Sequence, residues 1–311
     1  MPYSPIATGF LLLSILSFAI ISGAFFERRL WCRYLCPLGT LGAVYSGCSI
    51  VEWRANSSIC NSTCKDNSCY KGHNLSSGCP LYQGPFSLHS NQNCILCGRC
   101  VKLCPNDSPT LNLRVPGHEL WAALRPEKVT TIFVPVILGT QIFRGIEHLS
   151  LIQHLKVDFL PMWLIYAILL LASTAVSYLF TQISGMVAFT RLKDSNISKE
   201  SLFMHAIIPL AFTFEIGYQL KPLLTRFGHF FPTLGRQFGF NFDFLDFAYQ
   251  VGSIKPWQIL LILLGIGISV IFLNALRKNH QQDENGVFHK RFRNSPIYIW
   301  GIIYTWMFVI V

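Results

Sequence analysis

Four cysteines constrain this chain more than any other feature: Cys94, Cys97, Cys100 and Cys104, the last followed by Pro105. The run CILCGRCVKLCP reads C-x2-C-x2-C-x3-C-P, the bacterial ferredoxin spacing for [4Fe–4S] ligation. Three thiolates on one tight loop can grip three corners of a cubane. The fourth, ahead of a proline, is turned away and ordinarily serves a second cluster. Gly98 has no Cβ, so the backbone there can pass close to inorganic sulfur. Zinc is the plainer alternative, but zinc ribbons pair two C-x2-C hooks at longer range.

The motif calls for a second cysteine group, and one lies just upstream. Cys60, Cys64, Cys69 and Cys79-Pro80 follow a looser C-x3-C-x4-C-x9-C-P spacing. Two-cluster ferredoxins exchange their fourth ligands. That rule assigns one cluster to Cys60, Cys64, Cys69 and Cys104, and the other to Cys94, Cys97, Cys100 and Cys79. The first set rests on stretched loops, KDNS and YKGHNLSSG.

The remaining sequence is membrane-like. Hydrophobic residues make up 51% and charged residues only 13%, with mean hydropathy +0.41, unlike a soluble ferredoxin. Eleven cysteines in such a chain, at ligand spacing, point to metal in a reducing compartment rather than to a disulfide scaffold. Apolar stretches predict about six spanning helices, at 5–26, 129–143, 157–180, 202–224, 256–276 and 297–311, judged against the roughly 20 residues a span needs. The second contains Pro135, and the last stops at the chain end, which suggests a fragment. The first lacks a basic n-region and reads as a true span rather than a signal peptide.

Orientation follows the lysines and arginines. With the N-terminus outside, the inner segments hold 19 of the 25 basic residues, which predicts that the cysteine-rich segment 54–118 faces the cytoplasm. Orientation and anionic lipid account for the net charge of +10 without any nucleic acid. The expected fold is mainly α: a polytopic helical membrane protein carrying a small two-cluster ferredoxin domain. Its expected parts are a first span and membrane-edge segment (1–53), the ferredoxin-like domain (54–118), and a membrane domain of about five spans (119–311). The aromatic segment 227–255 suits a membrane interface, where it could cover a quinone site or a partner.

After the first span comes ERRLWCRYLCPLGTLGAVYSGC, with Cys32-x3-Cys36-Pro37 and then Cys48. On WCRYLCPLG and the ferredoxin module that follows, residues 1–120 resemble the membrane-bound polyferredoxin family of the NapH, NosR and CcoG type. The resemblance implies a multi-pass protein of a prokaryotic inner membrane. It implies electron transfer between a quinone pool or cytoplasmic donor and a periplasmic or respiratory reductase, as in a quinol dehydrogenase-type subunit. It also makes Cys32 and Cys36 redox or metal residues. The family commonly carries two C-x3-C-P motifs and this chain has one, which again fits a fragment. Cys32 and Cys36, at i and i+4, are expected on one helix face as a relay or further metal site. Cys48 is either a third ligand or a small packing residue.

Two residues inside predicted spans are weaker candidates. Glu215 is an intramembrane acid, expected to act in function or to pair with Lys221 or another base. His205 suits a hydrogen-bonded core position better than haem, because no second histidine lies at matching depth. Two other functions compete with electron transfer. One is a metallocentre assembly factor or copper reductase, since thiolates favour Cu(I); the other is a redox-sensing regulator.

Overall fold

The cysteine-rich half is ordered by very short elements, as expected where loops rather than a large core carry the ligands. The computed structural model describes residues 5–26, 31, 36–73, 76–81, 83–88, 90–121, 128–147, 162–190, 198–240, 254–280 and 294–310. The chain divides into two compact units, Met1–Glu119 and Leu120–Val311.

In the first unit, helix α1 (Pro5–Phe25) is apolar on every face and exposed along nearly its whole length. That pattern suits lipid rather than a protein core. Helix α2 (Pro37–Tyr45) follows, with Pro37 in its first turn. There a missing N–H costs nothing, because that position has no intrahelical partner. Pro37 thus opens this helix. Strand β1 (Val51–Ala55) pairs antiparallel with β4 (Pro109–Leu113) from the far end of the module, in register Ala55↔Pro109. This ribbon closes the cysteine segment into a loop. Inside it lie α3 (Ser57–Ser62), α4 (Ser68–Lys71), the two-residue strands β2 (Gly72–His73) and β3 (Ser76–Ser77), α5 (Arg99–Leu103), and then α6 (His118–Trp121), α6 running across the unit boundary.

The second unit is helical: α7 (Lys128–Glu147), α8 (Met162–Ala188), α9 (Lys199–Phe227), α10 (Phe230–Phe238), α11 (Lys255–His280) and α12 (Ser295–Ile310). Helix α9 is central, and its first half is buried from Ser201 to Ala211. Pro209 breaks the backbone ladder there, and the adjacent Leu210 N–H donates to Ser269 Oγ at 3.1 Å. Such local rescue is what an apolar surround demands. Pro135 does not shorten α7, which its flanks extend to 20 residues. Its carbonyl accepts from Ser177 Oγ at 2.7 Å.

Helices stand at all six predicted span positions. Among the described residues, four are long and apolar enough to cross a membrane: Thr8–Phe25, Leu164–Ala188, Lys199–Phe227 and Lys255–Asn279. Helix α7 carries Lys128, Arg144 and Glu147, and α12 has only 16 residues. The aromatic segment begins with α10, whose Phe230, Leu234 and Phe238 are exposed. Its remainder, 241–253, and the start of the third predicted span lie outside the described residues.

Glu215 pairs with Arg144 rather than Lys221: one guanidinium nitrogen donates to both carboxylate oxygens, at 2.8 and 2.9 Å. Gln219 Nε2 adds a third bond at 3.0 Å. His205 is buried, with Nδ1 2.8 Å from the Ser201 carbonyl, the position of a hydrogen-bonded core histidine.

Candidate metal centres

The ribbon and the hairpin explain how cysteines distant in sequence meet. Beyond the Ala55↔Pro109 pair, Asn56 N–H donates to the Ser108 carbonyl at 3.2 Å. Asn56 also caps α3, its side chain accepting from Ser58 N–H at 3.1 Å. The chain entering Cys60 and the chain leaving Cys104 are thus held at one end of the ribbon, and Cys60 Sγ lies 3.2 Å from Ser108 Oγ.

The stretched C-x9-C loop closes on itself. Within it β2 and β3 pair antiparallel, and Cys79 N–H returns to the Cys69 carbonyl at 3.1 Å. Gly78 is required there, because a Cβ would fall on the Tyr70 carbonyl. The long spacing therefore costs no separation between Cys69 and Cys79.

Four cysteines line one pocket: Cys79, Cys94, Cys97 and Cys100, with Trp53, Leu81 and Leu88 among its walls. Gly98, between the second and third cysteines, has φ +70° and nothing within 4 Å of where a Cβ would stand. Backbone conformation is what selects glycine there. Burial pushes the Cys100 thiol up to about 11, and the nearby Cys94 pushes it the same way while the Val101 N–H opposes. Cys94 is raised by burial, then lowered by the Leu96 N–H, raised by Cys97 and Cys79, and lowered by Arg54.

The other predicted set also gathers. Burial pushes the Cys69 thiol up to about 11, and Cys104, Cys64 and Cys60 each push it further in the same direction. Both sets combine three cysteines with one from the opposite group, which is the exchanged arrangement expected of two-cluster ferredoxins.

The donor chemistry fits a cluster better than a single ion. Without a metal, crowded thiols hold their protons against one another; a cation-rich centre removes that conflict. Among the described residues, no three His, Cys, Asp or Glu side chains converge closely enough to hold one metal ion. Zinc needs its ligands around one point, at about 2.3 Å. A cubane's thiolates each bind a different iron and so surround a space.

Of the membrane-edge cysteines, Cys36 and Cys48 lie among the described residues. Cys36 caps the start of α2 with extended backbone (φ −79°, ψ 115°), and its N–H donates to the Trp31 carbonyl at 2.8 Å. Cys32 lies outside the described residues. Cys48 sits in a 3-10 turn, Ser46–Cys48. Burial pushes its thiol up to about 11, against the opposing charge of Arg114.

Two segments match models described as 4Fe–4S binding domain, residues 8–53 and residues 90–110. The resemblance to membrane polyferredoxins stands. The second match covers Cys94, Cys97, Cys100 and Cys104. The first covers α1 and the stretch with Cys32, Cys36 and Cys48, so the Cys60, Cys64, Cys69 and Cys79 group falls in neither. The chain is similar to Protein NirI of Paracoccus denitrificans (strain Pd 1222), 29% identical over 104 residues, which is 32% of this chain and 14% of that protein. It is also similar to Ferredoxin-type protein NapH of Escherichia coli (strain K12), 30% identical over 86 residues, 27% of this chain and 30% of that protein. The chain thus spans less than a third of each relative's length. No solved structure gives a significant match. These findings point to iron–sulfur binding in a chain with membrane-type helices.

Sequence reasoning missed one group of functional candidates. Glu52, Arg54, Arg114, Glu119 and Asn91 form a network behind the Cys94 loop. Ordinary charged residues at irregular spacing carry no motif, so only the fold reveals it.

Proposed function

We propose that this chain is a membrane-bound iron–sulfur carrier. It would pass electrons between a quinone pool or cytoplasmic donor and a respiratory or periplasmic reductase partner. In this reading it is a multi-pass protein of a prokaryotic inner membrane, with about six spans and the 54–118 module in the cytoplasm. One [4Fe–4S] cluster is held by Cys79, Cys94, Cys97 and Cys100, the other by Cys60, Cys64, Cys69 and Cys104. The observation that carries the reading is the pocket lined by Cys79, Cys94, Cys97 and Cys100, in a chain with four span-length apolar helices.

When bound, such clusters take up and release one electron with little rearrangement. The protein's part is ligation, orientation and tuning. Backbone N–H groups of Leu96, Val101 and Tyr70 donate toward the Cys94, Cys100 and Cys69 sulfurs. Such bonds stabilise sulfur's negative charge and so set the potential. Cys32 and Cys36 are the proposed relay between lipid-dissolved quinol and the module, or the site of a further metal.

The test is reduction of the iron–sulfur absorbance by a quinol analogue in anaerobic proteoliposomes. Bleaching by quinol supports the reading. Bleaching by dithionite but never by quinol removes the quinol donor and leaves a soluble one.

A further inference from the structure

The Cys94 loop is braced by a nearly buried four-charge cluster. Glu119 accepts from Arg54 Nη2 at 2.6 Å, from the Asn91 N–H at 2.7 Å, from Ser90 Oγ at 3.1 Å, and from Arg114. Glu52 accepts from Arg114 at 2.8 Å and lies 3.1 Å from Arg54. The side chains of Glu119 and Arg114 are only 9% and 6% exposed. Asn91 ties this cluster to the ligand loop. Its Oδ1 accepts from Arg54 at 3.2 Å, its Nδ2 donates to the Val51 carbonyl at 2.8 Å, and its own carbonyl accepts from the Cys94 N–H at 2.9 Å. Buried ion pairs add little stability over well-packed apolar residues, so stability alone does not account for four charges here.

The cluster's charges balance, two arginines against two glutamates, but its members lie on the Cys94 side of the pocket. Buried charges are weakly screened. The reduced iron–sulfur centre is one unit more negative than the oxidised one. A nearby cation therefore favours reduction, and a nearby anion opposes it.

We propose that Arg54, Asn91 and Glu119 are positioning residues for the Cys94 loop, and that Arg54 and Glu119 set the reduction potential of the centre held there, with opposite signs. This rests on the cluster reading above. The experiment is an EPR-monitored redox titration of the whole detergent-solubilised protein and its Glu119→Gln and Arg54→Gln variants. Glu119→Gln is expected to raise the potential of the Cys94 centre and Arg54→Gln to lower it. Each shift is about tenfold in the reduction equilibrium, or 59 mV for one electron. Arg54→Lys, which keeps the charge, stays within about a third of that shift from the wild type. A loosened fold would move both Gln variants the same way, so shifts of one sign, or none, overturn the proposal. If Glu119→Gln loses iron, Glu52→Gln replaces it, with the same upward shift expected and its absence equally decisive. Failure of the cluster reading shows separately, as a wild-type protein with no reduced iron–sulfur signal.

Discussion

The Cys79 amide donates to the Cys69 carbonyl at 3.1 Å, so a single backbone bond joins the third cysteine of one set to the borrowed cysteine of the other. In the proposed ligation, local folding would then bring about the exchange of fourth ligands. The β2–β3 pairing turns the chain back after Cys69, and Cys79 lines the pocket shared with Cys94, Cys97 and Cys100.

Exchange has a direct spectroscopic consequence. Cys79→Ser should perturb the EPR signal of the Cys94, Cys97 and Cys100 centre, and Cys104→Ser that of the Cys60, Cys64 and Cys69 centre. Cys97→Ser should remove the first of these outright, because serine is a harder and far less acidic ligand. A Cys104→Ser variant altered only in the Cys97-dependent signal would refute exchange.

The proposed relay is tested by Cys36→Ser together with Cys32→Ser. Both ferredoxin-type clusters should remain visible, while reduction by a quinol analogue in proteoliposomes stops. Unchanged kinetics would leave these two cysteines as packing residues.

Orientation is tested by reporters fused after His118. The basic-residue bias predicts an active cytoplasmic reporter and silent alkaline phosphatase at that point. Strong phosphatase activity would invert the topology.

Arg144 and Glu215 hold α7 to α9 across apolar surroundings. Arg144→Met strands a carboxylate, at a cost of about 3 kcal/mol, the low end for broken buried pairs because this one is partly exposed. Thermal unfolding in detergent should show the loss, and Arg144→Met with Glu215→Met should recover most of it. A double variant no better than the single would show that the pair does not act as a unit.

Cys48 gives a pH signature. Its folded thiol titrates at about 11, above the ordinary value of 9.0. The folded state therefore holds the proton more tightly. The associated stability is fully present below pH 9.0 and is lost as pH rises toward about 11. Iodoacetamide labelling of Cys48 in the folded protein should follow ionisation near the upper value. Labelling that rises near pH 9 would mean that the turn is open.

Much of this was legible in the sequence because thiolate ligation imposes spacing. The close spacing of the Cys94 run follows from covalent reach, and Cys79 stands in one pocket with it. The six helices were legible because apolar length is a strong signal, although α7 needed its polar flanks to reach full length around Pro135. Other features were not legible. The C-x9-C spacing looks too long until the hairpin folds, and its only local marks are Gly72 and Gly78. That Pro37 opens α2 was not legible either, because a proline can precede a helix as readily as sit in its first turn. The pairing of Arg144 with Glu215, and the brace of Arg54, Arg114 and Glu119, join residues distant in sequence.

The central claim is that eight cysteines hold two [4Fe–4S] clusters. Iron and acid-labile sulfide analysis of the anaerobically purified chain tests it most directly. The account predicts about eight irons and as many sulfides per chain, more if the membrane edge holds a further metal. About four of each would remove the Cys60, Cys64, Cys69 and Cys104 centre, and zinc without sulfide would contradict the account altogether.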